Sequence, residues 1–178
     1  MQGTFITDLD VTEDGFIAVA INDLAKIQVY NIDGELKNEF GRGGRGPGDF
    51  RNLMSIELTD SLVFGMDSGP SGRINAFQRT NPEKYQTFQI PRSTNGSPVR
   101  MWLLDTGLFL VEFRHAFNNR NINEELKSTY ELISITGNGE KYFAFDNKMN
   151  EMFINQSNGG FSVSSMAFGR QNFIVLAG

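Results

Sequence analysis

The chain has 178 residues, with 16 phenylalanines, 19 glycines, no cysteine and a formal net charge of −5. That length suffices for one domain with a real core. The missing cysteine excludes disulfides, thiolate metal sites and cysteine nucleophiles, and the acidic balance excludes capture of polyanions by bulk attraction.

The predicted elements come in quartets of short strands. The first quartet is "FITDLDV" (5–11), Phe16–Ile21, "KIQVYN" (26–31) and "ELKNEF" (35–40). The second is "LMSIEL" (53–58), Leu62–Asp67, "RINAFQ" (73–78) and "KYQTFQI" (84–90). The third is "VRMWLL" (99–104), Leu108–Phe113, "STYELISI" (128–135) and "EKYFAF" (140–145). A half quartet follows at "SVSSMAF" (162–168) and Phe173–Gly178. The start of the second strand recurs at Phe16, Leu62 and Leu108, 46 positions apart each time. In each quartet the second strand is the most apolar, as in a strand buried on both faces, and the fourth alternates like an outer strand. "NIDGE" (31–35) and "TGNGE" (136–140) place hairpin dipeptides at the same point, between strands three and four. Four strands in about 45 residues, repeated, predict an all-β fold: a β-propeller of four-stranded antiparallel blades. The expected blades are 5–40, 51–90 and 99–146, with a half blade at 162–178.

No stretch approaches the roughly 18 apolar residues of a membrane span. "MQGTFITDLD" lacks the basic and apolar regions of a signal peptide, so the expectation is a chain that stays inside the cell or lacks its leader.

The segment "IQVYNIDGELKNEFGRGGRGPGDF" (27–50) resembles the NHL-type, bacterial six-bladed β-propellers, which carry a strand, "DG", a strand and then "FG..G.GPG.F". The likeness is good over residues 16–62 and weaker in the next two units, where "FG" and "GPG" are absent. The resemblance implies an extracytoplasmic role for many members, protein or RNA binding for others, and lyase activity for a few. A six-bladed ring needs about 270 residues at this repeat length. The expectation is therefore an open arc of about three and a half blades.

Alternate connections of such a meander share one side. The turns from strand one to two and three to four are short. The other connections are long and variable: 41–49, 67–73, 91–98, 115–127 and 147–160. Loops on a rigid scaffold are the usual seat of binding, so the long-loop side is the expected functional face. Eight of the ten arginines (42, 45, 51, 73, 92, 100, 114 and 120) fall in these loops or at strand ends leading to them. Either arginine merely suits exposed loops, or the guanidiniums converge on an anionic group. On the second reading the ligand-binding candidates are Arg42, Arg45, Arg51, Asp67, Arg73, Arg100, Trp102, Arg114 and His115.

"FGRGGRGPGDF" (40–50) lacks the Lys-Ser/Thr of a P-loop and leads into a strand rather than a helix, which predicts an inter-blade crossover. His115 is the sole histidine, so a histidine-based metal site is not expected. Trp102 sits on a first strand, where it packs in the core or lines the axis as an aromatic platform. Asp8, Asp10, Glu13 and Asp14 lack calcium-loop spacing and read as a solvated acidic turn. "NINEELK" (121–127) suits one helical turn. With no nucleophile, acid/base pair or metal set in view, the expectation is a non-enzymatic module without cofactor. Its partner would be a protein, a peptide, or an anionic or glycan ligand at the long-loop face, with nucleic acid disfavoured. The alternative is half of a propeller lyase or hydrolase completed by further blades.

Overall fold

The computed structural model describes residues 4–68, 72–92, 96–105, 107–114 and 128–135, together with the backbone of strands at 141–146, 166–169 and 173–176. The first sheet joins β1 (Ile6–Val11), β2 (Ile17–Ile21), β3 (Lys26–Tyr30) and β4 (Leu36–Phe40). The second joins β5 (Leu53–Leu58), β6 (Leu62–Asp67), β7 (Arg73–Gln78) and β8 (Asn81–Gln89). The third joins β9 (Ser97–Asp105), β10 (Leu108–Arg114), β11 (Ser128–Ser134) and β12 (Lys141–Asp146). A two-stranded sheet joins β13 (Met166–Gly169) and β14 (Phe173–Leu176). Strands are paired in chain order, and every pairing between them is antiparallel. The inner strands β1, β5 and β9 pack side by side, whereas the outer strands β4 and β8 barely meet. Sheets that touch along their first strands and part along their fourth are blades of a β-propeller.

Alternation along each strand sends successive side chains to the two neighbouring blades. On β6 and β7, Val63 and Phe77 join Ala18, Ala20, Ile27, Val29 and Phe40 in the core between blades 1 and 2. Phe64, Met66, Ile74 and Ala76 point the other way, into a core with Phe109, Val111, Phe113 and Ile133 of blade 3. Gly65 sits where any Cβ would lie 2.5 Å from the Phe50 ring and 2.8 Å from Ile27. Its absent side chain lets blade 1 close on the middle of β6. Blade 1 turns a different face outward: Ile6, Leu9 and Val11 remain 56%, 57% and 46% exposed.

Each inner strand has one edge paired to its own blade and one edge facing the next hub strand. Side chains of the preceding blade satisfy that spare edge. Asp8 Oδ2 accepts from the Ile56 N–H at 3.0 Å and from the Ser55 hydroxyl at 2.8 Å, and Asp10 Oδ2 accepts from the Leu58 N–H at 2.6 Å. One blade further, the Met101 N–H donates to Ser55 Oγ at 3.2 Å, and the Leu103 N–H to the Glu57 carboxyl. Asp8 and Asp10 are thus inter-blade ties and not members of a solvated acidic turn. An unpaired strand edge needs acceptors for its N–H groups, and carboxylates two residues apart provide them.

A second difference concerns β8. The spacing predicts a turn over "TNPE" and a strand from Lys84, but the strand begins at Asn81. The register slips between Phe77↔Tyr85 and Gln78↔Asn81, so Pro82 lies in a bulge of an outer strand, where its missing N–H breaks no ladder bond.

Candidate functional site

The glycine-rich segment leads from β4 to β5 and folds back on itself. The Phe50 N–H donates to the Arg42 carbonyl at 2.8 Å and the Gly44 N–H to the Phe50 carbonyl at 3.1 Å. Asp49 organises the interior: its carboxylate accepts from the Gly46 N–H at 2.8 Å and from Arg42 Nε at 2.9 Å. Arg42 holds that carboxyl below the usual carboxylate range, and Asp49 in turn raises the guanidinium of Arg42. Glycine is required at 44, where a Cβ would fall 2.2 Å from Asp49 Oδ2, and at 48, where φ is +76° and the Tyr85 ring closes in. Phe50 is fully buried between the first two blades.

Blade 2 clamps this loop. Arg73 donates to the carbonyls of Arg45, Gly46 and Asp49 at 2.9, 3.0 and 2.9 Å, and lies 3.1 Å from Asp67. Asp67 also accepts from the N–H groups of Arg51 and Asn52. The Asn75 amide donates to the Asp49 carbonyl, while the Gly48 N–H donates to Asn75 Oδ1 and Thr87 Oγ1. Asp67 is buried in this framework and Arg73 is partly buried. The side chains of Arg42, Arg45 and Arg51 stand exposed on it.

The other candidates lie elsewhere. Arg100 is on the hub strand β9, 3.9 Å from Asp8 and stacked over Trp102 at 5.4 Å, and Trp102 packs on Tyr130 with centroids 6.2 Å apart. Arg114, at the end of β10, donates to Glu112 at 2.6 Å, and Glu112 also accepts from the Ser128 hydroxyl. His115 and the segments 115–127 and 147–160 lie outside the described residues, as does the helical turn expected over 121–127. The structure therefore gathers Arg42, Arg45, Arg51, Asp67 and Arg73 around one loop and sets Arg100 with Trp102, and Arg114, apart from it. Among the described residues no group of three or more histidine, aspartate or glutamate side chains could hold a metal ion. No helix among them is long and apolar enough to cross a membrane.

Two features escape the sequence reading. One is Glu57 on the hub strand β5: burial, with Asp10 and Asp8 beside it, pushes its carboxyl up to about 8. The other is a cleft of about 1170 Å³ between blades 2 and 3, on the short-turn side, opposite the long loops. Leu62, Phe64, Phe88 and Leu103 form much of its apolar lining, Glu57, Asp60, Glu83 and Asp105 are its acidic groups, and Lys84 is its one basic group. The alternation of Ser55 and Glu57 on an inner strand was the only available signal for the first. For the second the sequence holds no signal, because Ile135 and Arg79 are not related by the 46-residue spacing.

No protein-family model matches the chain, and no curated protein does. Solved structures do match. Virginiamycin B lyase from Staphylococcus aureus aligns with a TM-score of 0.52 at 14% identity, over 82% of this chain and 42% of that one. The N-terminal domain of Nup159 aligns at 0.51 and 10%, over 79% and 38%. The computationally designed Ika4 protein aligns at 0.50 and 11%, over 82% and 76%. The chain thus spans about two fifths of the length of the two natural structures. These likenesses show the propeller fold and nothing finer.

Proposed function

We propose that this propeller is a binding module, akin to the NHL-type propellers, that takes an anionic group of a protein, peptide or glycan at its long-loop face. The observation that carries the reading is the locked crossover with exposed Arg42, Arg45 and Arg51. The loop's own polar groups are consumed internally by Asp49, Arg73 and Asn75, so its geometry is fixed before any ligand arrives. Guanidiniums held on such a frame recognise carboxylate, sulfate or phosphate through forked, charge-assisted hydrogen bonds. Arg73 and Asp67 act in support, by holding the loop. Arg100, Trp102, Arg114 and His115 belong to further contact zones of the same module. A propeller among the solved neighbours gives a precedent for protein recognition: yeast Dbp5 is bound to Nup159 in one such assembly.

Fluorescence anisotropy with a labelled acidic octapeptide tests this. Binding is expected to weaken as salt rises, and to fall at least several-fold when Arg45 and Arg51 are both changed to serine. Equal affinity of that double variant and the parent would overturn the reading.

A further inference from the structure

The groove between blades 1 and 2 and the groove between blades 2 and 3 are built on the same backbone plan. The N–H of Arg79 donates to the Ser61 carbonyl, one residue before β6, and the N–H of Ile135 donates to the Gly107 carbonyl, one residue before β10. Arg79 and Ile135 therefore occupy the same place after the third strand of their blades. Arg79 reaches back over blade 1: its guanidinium lies 4.3 Å from the Phe16 ring centroid and 3.0 Å from an Asp14 oxygen. Leu62 stands where Phe16 stands in the first blade, its carbonyl accepting from the Thr59 N–H as that of Phe16 does from Thr12. Asp60 precedes it by two residues, as Asp14 precedes Phe16, in a turn one residue shorter. Ile135 offers them no cation, and there the cleft opens, lined by Asp60, Leu62 and Ile135; Glu57, Glu83 and Asp105 are also on it, against one cation, Lys84 of the outer strand β8.

We propose that the cleft between blades 2 and 3 binds an arginine-bearing segment of a partner peptide, whose guanidinium takes the place that Arg79 fills in the neighbouring groove. The chemistry is set by the occupied groove: a planar cation lying on an apolar side chain, with a carboxylate at its edge. Asp60 and Asp105 supply the opposite charge, and Leu62, Phe64 and Leu103 supply the surface on which the methylene stem lies. Arginine is favoured over lysine because the guanidinium is flat, weakly hydrated and able to hydrogen-bond one carboxylate with two N–H groups. Glu57 lines the inner end of the cleft, facing Asp8 and Asp10 of β1, Arg100 of β9 and the Leu103 N–H of β9. Its carboxyl holds a proton at neutral pH and can release it as a cation approaches, so binding is coupled to proton release.

The test uses the full chain and a fluorescein-labelled hexapeptide with one central arginine among leucine and serine. Its two controls carry citrulline or lysine in place of arginine. The arginine peptide is expected to bind. Citrulline should cost about ten-fold or more, as loss of a charged hydrogen-bonding partner does. Asp60→Asn should weaken binding by a comparable factor. Ile135→Arg, which supplies the missing clamp from within, should block it. The Arg45→Ser/Arg51→Ser variant should bind this peptide normally, which separates the cleft from the long-loop face. Failure of the arginine peptide to bind, equal binding of the citrulline peptide, or unchanged binding to Asp60→Asn would each overturn the proposal.

Discussion

The two inter-blade grooves teach how one backbone plan yields a sealed seam in one place and an open one in the next. Between blades 1 and 2, Phe40, Phe50 and Phe77 meet ring to ring, with centroids 5.6 Å apart for Phe40–Phe77 and 6.1 Å for Phe50–Phe77. The crossover loop plugs one end and Arg79 closes the other. Between blades 2 and 3, register places Phe88 opposite Ile74 as Phe40 is opposite Ile27, but Ile133 stands where Phe77 does. The ring is shifted rather than lost, since Phe109 stands where Val63 does and meets Phe64 with centroids 5.1 Å apart. With isoleucine at 135 in place of the Arg79 clamp, a cleft lies among the described residues on the short-turn side. The fold tolerates the exchange, because the strand ladders recur and side chains of the preceding blade tie the hub in both seams, Asp8 and Asp10 in the first, Ser55 and Glu57 in the second.

The sharpest way to break the contrast is to open the sealed seam. Phe50→Ala removes a fully buried ring from the first groove and is expected to cost about 3–5 kcal/mol, read as a fall in the urea midpoint. Phe88→Ala in the second groove, where the ring is only partly buried, should cost clearly less. Equal losses would mean that the two seams are packed alike. Arg73→Met comes next. It strands the buried Asp67 carboxylate and frees three loop carbonyls, for an expected loss of about 3 kcal/mol. Arg73→Lys should recover only part, since one ammonium cannot serve the same fork.

Acidity distinguishes the seams as well. Glu57, at the open one, has its carboxyl raised from 4.5 to about 8 by burial and by Asp10. A raised folded-state value contributes stability that is fully present below the unfolded value and is lost as pH climbs through the folded one. Asp14 and Asp49, at the two ends of the sealed seam, are lowered by Arg79 and Arg42 respectively, so their contribution is present above the ordinary aspartate range and fades as pH falls below it. The thermal midpoint should therefore decline between pH 5 and 8.5. Glu57→Gln should flatten that decline and leave the acid limb unchanged. A parent-like slope in the variant would remove Glu57 from the account.

How much of this was legible follows from period and charge. The strand quartets could be read because apolar residues alternate and recur at 46, and both signals survive without knowledge of neighbours. The crossover could be read because its glycines and Pro47 forbid helix and its flanks are strands. The long-loop arginines were visible as residue types, but their fates were not. That Arg73 is consumed by carbonyls 24 to 28 positions away, while Arg45 and Arg51 are exposed, depends on tertiary contacts. Asp8 and Asp10 looked like solvated charge because their partners, Ile56 and Leu58, lie 48 positions downstream and donate only backbone N–H groups. The cleft was invisible for a related reason: it is made by what Ile135 lacks relative to Arg79, and that equivalence rests on a backbone hydrogen bond rather than on spacing, since the two positions are 56 apart and not 46.

Arg79→Ile carries the smallest expected effect and is the most direct conversion of one seam into the other. The side chain is 14% exposed and lies on Phe16, and loss of that stacking is expected to cost about 0.5–1 kcal/mol. The Asp14 contact adds only a salt-dependent fraction, because that carboxylate is open to solvent. Asn38 donates to the backbone carbonyl of Arg79, and that bond persists in the variant. The blade should therefore keep its place while the end of the groove opens. If the two seams differ by this clamp, Arg79→Ile should gain weak affinity for the arginine peptide at Phe16 and Asp14, and Asp14→Asn in the same background should abolish the gain. A destabilisation several times larger, or no gained binding in a folded variant, would show that aromatic packing alone separates the closed groove from the open one.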